Sequence, residues 1–121
     1  MAKTVCIVDD SSSMRQLVRM TLKEAGYDIL EAFDGEDAVG KLRGKRVNLI
    51  ISDVNMPRMD GITLLKTLKQ DSTHRFTPVL MLTTESEQSK KAEGQAAGAK
   101  AWMVKPFQPA QLLSAVEKLT L

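Results

Sequence analysis

A chain of 121 residues with 43% hydrophobic and 26% charged side chains has room for one domain with a real core and none for a second. Its net charge of +2 is too small to argue for a nucleic-acid partner, and no apolar run approaches the length of a membrane helix. The single cysteine, Cys6, excludes an internal disulfide, no Cys/His pattern suggests zinc, and the N-terminus lacks a signal-peptide layout, all of which point to a cytoplasmic protein.

Thr4 to Val8 reads as a short buried strand. Ser12 to Ala25 places Met14, Leu17, Val18, Leu22 and Ala25 at helical spacing, with Gly26 as the stop. Asp28 to Ala32 is a second strand. Glu36 to Leu42 is a weaker helix, with Ala38, Val39 and Leu42 on one face and Gly40 against it. Val47 to Ser52 is a third strand around Leu49-Ile50-Ile51. Ile62, Leu65 and Leu68 mark a helix after Gly61. Pro78 opens a fourth strand, Val79 to Leu82. Ser86 to Ala97 is helical by composition, with only alanines for its apolar stripe. Ala101 to Val104 is a fifth strand, and Ala110 to Leu119 a last helix with Leu112, Leu113, Val116 and Leu119 inward.

Five strands alternating with five helices predict an α/β chain: one doubly wound domain whose five-stranded parallel sheet is covered on both faces. Such sheets bind ligands beyond the carboxyl ends of their strands. After strand one come Asp9 and Asp10, after strand three Asp53, after strand four Thr83 and Thr84, and after strand five Lys105. Taken singly, each has a plainer explanation: the acids cap a helix, the threonines are loop hydroxyls, the lysine is solvated. Together they place three carboxylates and one cation at one rim. At 4 Å and an effective dielectric near 20, each carboxylate pair costs roughly 4 kcal/mol. One lysine cannot balance three acids, whereas a hard divalent cation with oxygen ligands can, and magnesium is the natural candidate. A carboxylate left beside that cation can accept a phosphoryl group as an acyl phosphate.

Four motifs, "VDD" (Val8 to Asp10), "SDVNMPRMDG" (Ser52 to Gly61), "MLTT" (Met81 to Thr84) and "VKPF" (Val104 to Phe107), stand in order at the strand ends. With them the chain resembles the receiver domain of two-component response regulators over essentially residues 1–121. Through "DDSSSMR" and "DVNMPRMDG" it is most similar to the stand-alone chemotaxis regulators among them. The resemblance implies a flavodoxin-like strand order, 2-1-3-4-5. It implies Asp53 as phosphoacceptor, and Mg2+ held by Asp9, Asp10, Asp53 and the backbone carbonyl of Asn55. It further implies Lys105 on the phosphoryl oxygens, Thr83 as the switch hydroxyl, Trp102 as the aromatic switch and a cis Lys105-Pro106 bond. Asn55 and Glu85 occupy positions that tune phosphate lifetime. Thr84 departs from the small residue usual after the switch hydroxyl, and its bulk narrows access for a phosphodonor or a phosphatase.

The same resemblance implies a monomeric signalling protein that promotes only its own phosphorylation and dephosphorylation. A CheA-like histidine kinase is the implied donor. Output is expected through a face formed by helix four, strand five and helix five, onto a flagellar motor switch protein. The alternative is a phosphorelay intermediate passing its phosphate to a histidine phosphotransfer protein. An aspartate-nucleophile phosphatase is disfavoured by Asp-Asp, rather than Asp-x-Asp, after strand one. An FMN carrier is disfavoured by acids facing the cofactor phosphate and by few aromatic residues. The complete set Asp9, Asp10, Asp53, Thr83 and Lys105 disfavours a receiver that works without phosphate. Cys6 is expected as a small buried hydrophobe, Lys90 and Lys91 on a wet helix face, and His74, in "QDSTHRFTP", at the surface.

Overall fold

The structure is a computed structural model that describes residues 2–84 and 90–121. Its elements are β1 (Thr4–Val8), α1 (Ser12–Glu24), β2 (Asp28–Ala32), α2 (Gly35–Leu42), β3 (Leu49–Asp53), α3 (Gly61–Lys69), β4 (Val79–Thr83), α4 (Lys91–Ala96), β5 (Ala101–Val104) and α5 (Pro109–Leu119). The strands form one parallel sheet in the order β2-β1-β3-β4-β5. This is the α/β doubly wound architecture expected from the alternation. No described helix is long and apolar enough to cross a membrane.

The central strands are apolar on both faces because both faces are covered. All five residues of β3 and of β4 are buried, whereas the edge strands β2 and β5 are mostly half-buried. Alternation along the strands divides the core. Val5, Ile7, Ile51, Leu80 and Leu82 pack against Val18 and Leu22 of α1 and Leu112 and Val116 of α5. Cys6, Val8, Ile50 and Met81 face the other way, onto Ala38 and Leu42 of α2 and Leu64 and Leu68 of α3. Burial pushes the Cys6 thiol up to about 12, so it stays a protonated packing group.

Three differences from the sequence reading, at β3, α5 and His74, have physical causes. β3 begins at Leu49 rather than Val47, because Asn48 is engaged with Thr4 through both its amide N–H (2.8 Å to the Thr4 carbonyl) and its Oδ1. α5 begins at Pro109, one residue early: proline suits a first helical position, and Gln111 Oε1 accepts the Gln108 N–H at 2.8 Å. α4 is described from Lys91, the expected start at Ser86 lying outside the described residues, and it buries only Gly94. His74 is a correction. It is buried, not on the surface, and its Nε2 lies 2.8 Å from the Leu42 carbonyl oxygen at the end of α2. Irregular turns carry no periodicity from which such burial can be read.

Candidate functional site

The winding direction reverses between β1 and β3, which lie side by side, with α1 and α2 attached to opposite faces. A crevice forms at such a point beyond the carboxyl ends of the strands. β1 delivers Asp9 there and β3 delivers Asp53, both buried, while the adjacent Asp10 is exposed. One carboxylate oxygen from each of Asp9, Asp10 and Asp53 lies within 4.8 Å of the others.

The acids are not spent on capping α1. Ser11 does that, its hydroxyl accepting the Met14 N–H at 3.3 Å. Asp9 Oδ1 accepts the Ser11 N–H at 2.9 Å, while its Oδ2 is buried with no hydrogen-bond partner among the described residues. Lys105, at the end of β5, is the compensating cation: its Nζ is 3.1 Å from Asp53 Oδ1 and 3.7 Å from Asp9 Oδ2. A main-chain bond from Lys105 N–H to the Thr83 carbonyl, 2.6 Å, ties that lysine to the end of β4, and the Lys105-Pro106 bond is cis. Asp53 Oδ1 also accepts the Val54 N–H at 3.0 Å. Thr83 is fully buried at the same rim, its hydroxyl donating to the Thr84 carbonyl at 3.1 Å. Thr84 is exposed, as is Asn55, two residues beyond Asp53.

Burial drives the Asp9 carboxyl above its ordinary range; the Ser11 N–H, Lys105 and Arg15 oppose the shift, and Asp10 adds to it. An oxygen-only donor set with one orphaned buried carboxylate oxygen fits a hard divalent cation such as Mg2+. The raised Asp9 pKa gives a pH dependence. The folded pKa lies above the unfolded one, so this group's stabilisation is full below the unfolded pKa and is lost as pH rises through the folded pKa. We therefore expect Asp9→Asn to stabilise the metal-free protein at neutral pH, by on the order of 1 kcal/mol. The gain should vanish in acid, where the wild-type carboxyl is itself protonated. Urea unfolding at several pH values in EDTA checks this, and a neutral-pH loss of stability would contradict it.

Comparison with known proteins decides the family. A family model described as the response regulator receiver domain matches residues 5–117. The chain belongs to the response regulator receiver family. This receiver is 35% identical over 113 residues to protein PilG of Pseudomonas aeruginosa, covering 93% of this chain and 84% of that one. It is 39% identical over 113 residues to chemotaxis protein CheY1 of Helicobacter pylori, covering 92% and 91%. Among solved structures, chemotaxis protein CheY4 of Vibrio cholerae superposes with a TM-score of 0.93 at 47% identity, over 98% of this chain and 99% of that one.

Of the residues singled out in the sequence, Asp9, Asp10, Asp53 and Lys105 come together directly, with Thr83 beside them at the rim. Trp102 lies elsewhere: half-buried on β5 beside Met81 of β4, with its ring against Gly94 of α4. Glu85 lies outside the described residues. Sequence reasoning missed Arg15, whose Nη1 donates to the Asp9 carbonyl at 2.6 Å and whose Nε is 3.5 Å from Glu31. It also missed Asp34 and Arg58, which pair across the neighbouring loops. The run "FDGEDA", an N-cap before a helix, was the available signal for Asp34.

Proposed function

We propose that this chain, residues 1–121, is a cytoplasmic, monomeric, Mg2+-dependent phosphoacceptor switch, with Asp53 as the acceptor. The observation that carries the reading is the buried Asp53 carboxylate, 3.1 Å from Lys105 Nζ within a cluster of three acids. Asp9, Asp10, Asp53 and the Asn55 carbonyl would hold the cation, which when bound neutralises charge on the phosphoryl oxygens.

An Asp53 carboxylate oxygen attacks phosphorus in line. The new P–O bond forms as the bond to the donor breaks, and the leaving group is the imidazole of a phosphohistidine or the carboxylate of acetyl phosphate. Lys105 already sits on Asp53 and needs only a short movement to reach an incoming phosphoryl oxygen. The carboxyl ends of β1, β3 and β5 hold these groups before the donor arrives, so little reorganisation accompanies transfer. Water attack on the acyl phosphate restores Asp53, with Asn55 and Glu85 setting its rate.

The phosphoryl group adds roughly 1.5 to 2 negative charges beside Thr83. Its hydroxyl provides the contact that differs between the two states, and such a difference is what shifts a conformational equilibrium. The readout runs through β4 and Trp102 to the lightly packed α4, remodelling the face of α4, β5 and α5 that meets the target. Low local burial favours movement there. The donor is a CheA-like histidine kinase, a phosphatase can assist the reset, and the target is a flagellar motor switch protein. Similarity to two proteins named as chemotaxis proteins supports this choice of output.

Adding Mg2+ and beryllofluoride is expected to change Trp102 fluorescence and the backbone resonances of α4 and β5, and to increase retention on immobilised motor switch protein. Unchanged α4 resonances would contradict the coupling. Retention on a histidine phosphotransfer protein instead would replace the motor output by the relay.

A further inference from the structure

Arg58 stands in the left-handed region, with φ of 66°. Glycine or asparagine would take that conformation at less cost, so the arginine is the wrong residue on backbone grounds alone. Its side chain supplies the compensation. Nη2 contacts Oδ2 of Asp34, Nε lies 3.5 Å from Glu36 Oε2, and the guanidinium is 5.6 Å from the centre of the Phe33 ring. Asp34 is fully buried, and its Oδ1 is already used to cap α2 by accepting the Asp37 N–H at 2.8 Å. Arg58 is therefore the cation against a carboxylate that has no access to water.

The placement of this pair matters more than its strength. The segment between β3 and α3 runs from Val54 to Asp60 and carries Asn55. Its ends are fixed by Val54 N–H to Leu82 and Gly61 N–H to Val54, at 3.1 and 2.8 Å. Its middle is held in two ways: buried Met56 packs into the core with Ala38 and Leu42 of α2 and Leu64 of α3, and the stretch after it is clamped against the β2–α2 connection. There Arg58 meets Asp34, and Met59 packs so closely over Gly35 that a Cβ at Gly35 would lie 2.7 Å from Met59 Cβ. Asn55 stands in this same segment, three residues before Arg58.

We propose that Arg58 and Asp34 are a positioning pair for the divalent cation. By locking the β3–α3 loop to the β2–α2 loop they hold the Asn55 carbonyl at the acidic cluster, and they set cation affinity without touching the cation. The proposal rests on the function proposed above, in which that carbonyl is a ligand.

The test is calorimetric Mg2+ titration of the full chain alongside thermal unfolding. Arg58→Gly removes the clamp and relieves the backbone; Arg58→Asn is the second variant, since asparagine also accepts this conformation. Asp34→Asn keeps the helix-capping oxygen and removes the charge. Each is expected to weaken Mg2+ binding five-fold or more; the Arg58 variants should also lower Tm, because Asp34 is left buried without its cation, and adding Asp34→Asn should recover that Tm without recovering the affinity. Arg58→Lys, which keeps charge but not the forked geometry, should fall between them and wild type. The double variant Arg58→Gly/Asp34→Asn should bind no more weakly than the worse single variant, because both remove one contact. Wild-type affinity in both Arg58 variants would overturn the positioning role, and so would additive losses in the double variant. Wild-type protein that takes up no Mg2+ would instead overturn the function on which the proposal rests.

Discussion

Asp53→Asn is expected to abolish phosphoryl acceptance from both acetyl phosphate and a phosphorylated histidine kinase. The amide oxygen keeps the shape that Val54 N–H and Lys105 surround, but it is a poor nucleophile and cannot form an acyl phosphate. The fold should not suffer. Removing one of three clustered carboxylates relieves repulsion of roughly 4 kcal/mol per pair at 4 Å, only partly offset by losing the Lys105 contact. The metal-free variant should therefore be at least as stable as wild type while its intact mass stays unchanged under phosphodonor. A gain of one phosphoryl mass by Asp53→Asn would move the acceptor to another residue.

Gly61→Ala is expected to carry the largest stability loss of any single methyl addition near the site. Gly61 opens α3 and folds back on β3, its N–H bonded to the Val54 carbonyl. An added Cβ would run into the Asp53 carbonyl oxygen, come within 2.8 Å of Met81 Cε and reach 3.0 Å from Val54 Cα. Two of those three atoms are backbone and cannot rotate away. Overpacking of this kind costs about 3 kcal/mol, which lowers Tm by roughly 10 °C for a chain of this size. Because the clash falls on Asp53 itself, phosphorylation of the surviving folded fraction should slow as well. Urea unfolding with a change under about 1 kcal/mol would show that the start of α3 can shift.

The fold was legible because strand burial leaves a direct mark. β1, β2 and β5 carry the limits expected from short apolar runs flanked by turn or charged residues, and β3 and β4 differ only at their ends. The clustering of charges at the rim was legible for the same reason: a charge at or just past the end of a buried strand cannot be placed there by the core, so Asp9, Asp53 and Lys105 announce the rim together. What stayed hidden depends on contacts distant in sequence or on irregular backbone. Arg58 and Asp34 are 24 positions apart, and nothing local betrays a left-handed arginine. His74 is buried by a turn that packs on α2, not by a periodic face.

The most direct measurement is intact-mass analysis of the wild-type chain with acetyl phosphate, in Mg2+ and in EDTA, followed by peptide mapping. The expected result is one added phosphoryl group, present only with Mg2+ and confined to the peptide that carries Asp53. Equal incorporation in EDTA, no incorporation in Mg2+, or a phosphoryl group on any other residue would contradict the assignment of this acidic rim as a cation-assisted phosphoacceptor.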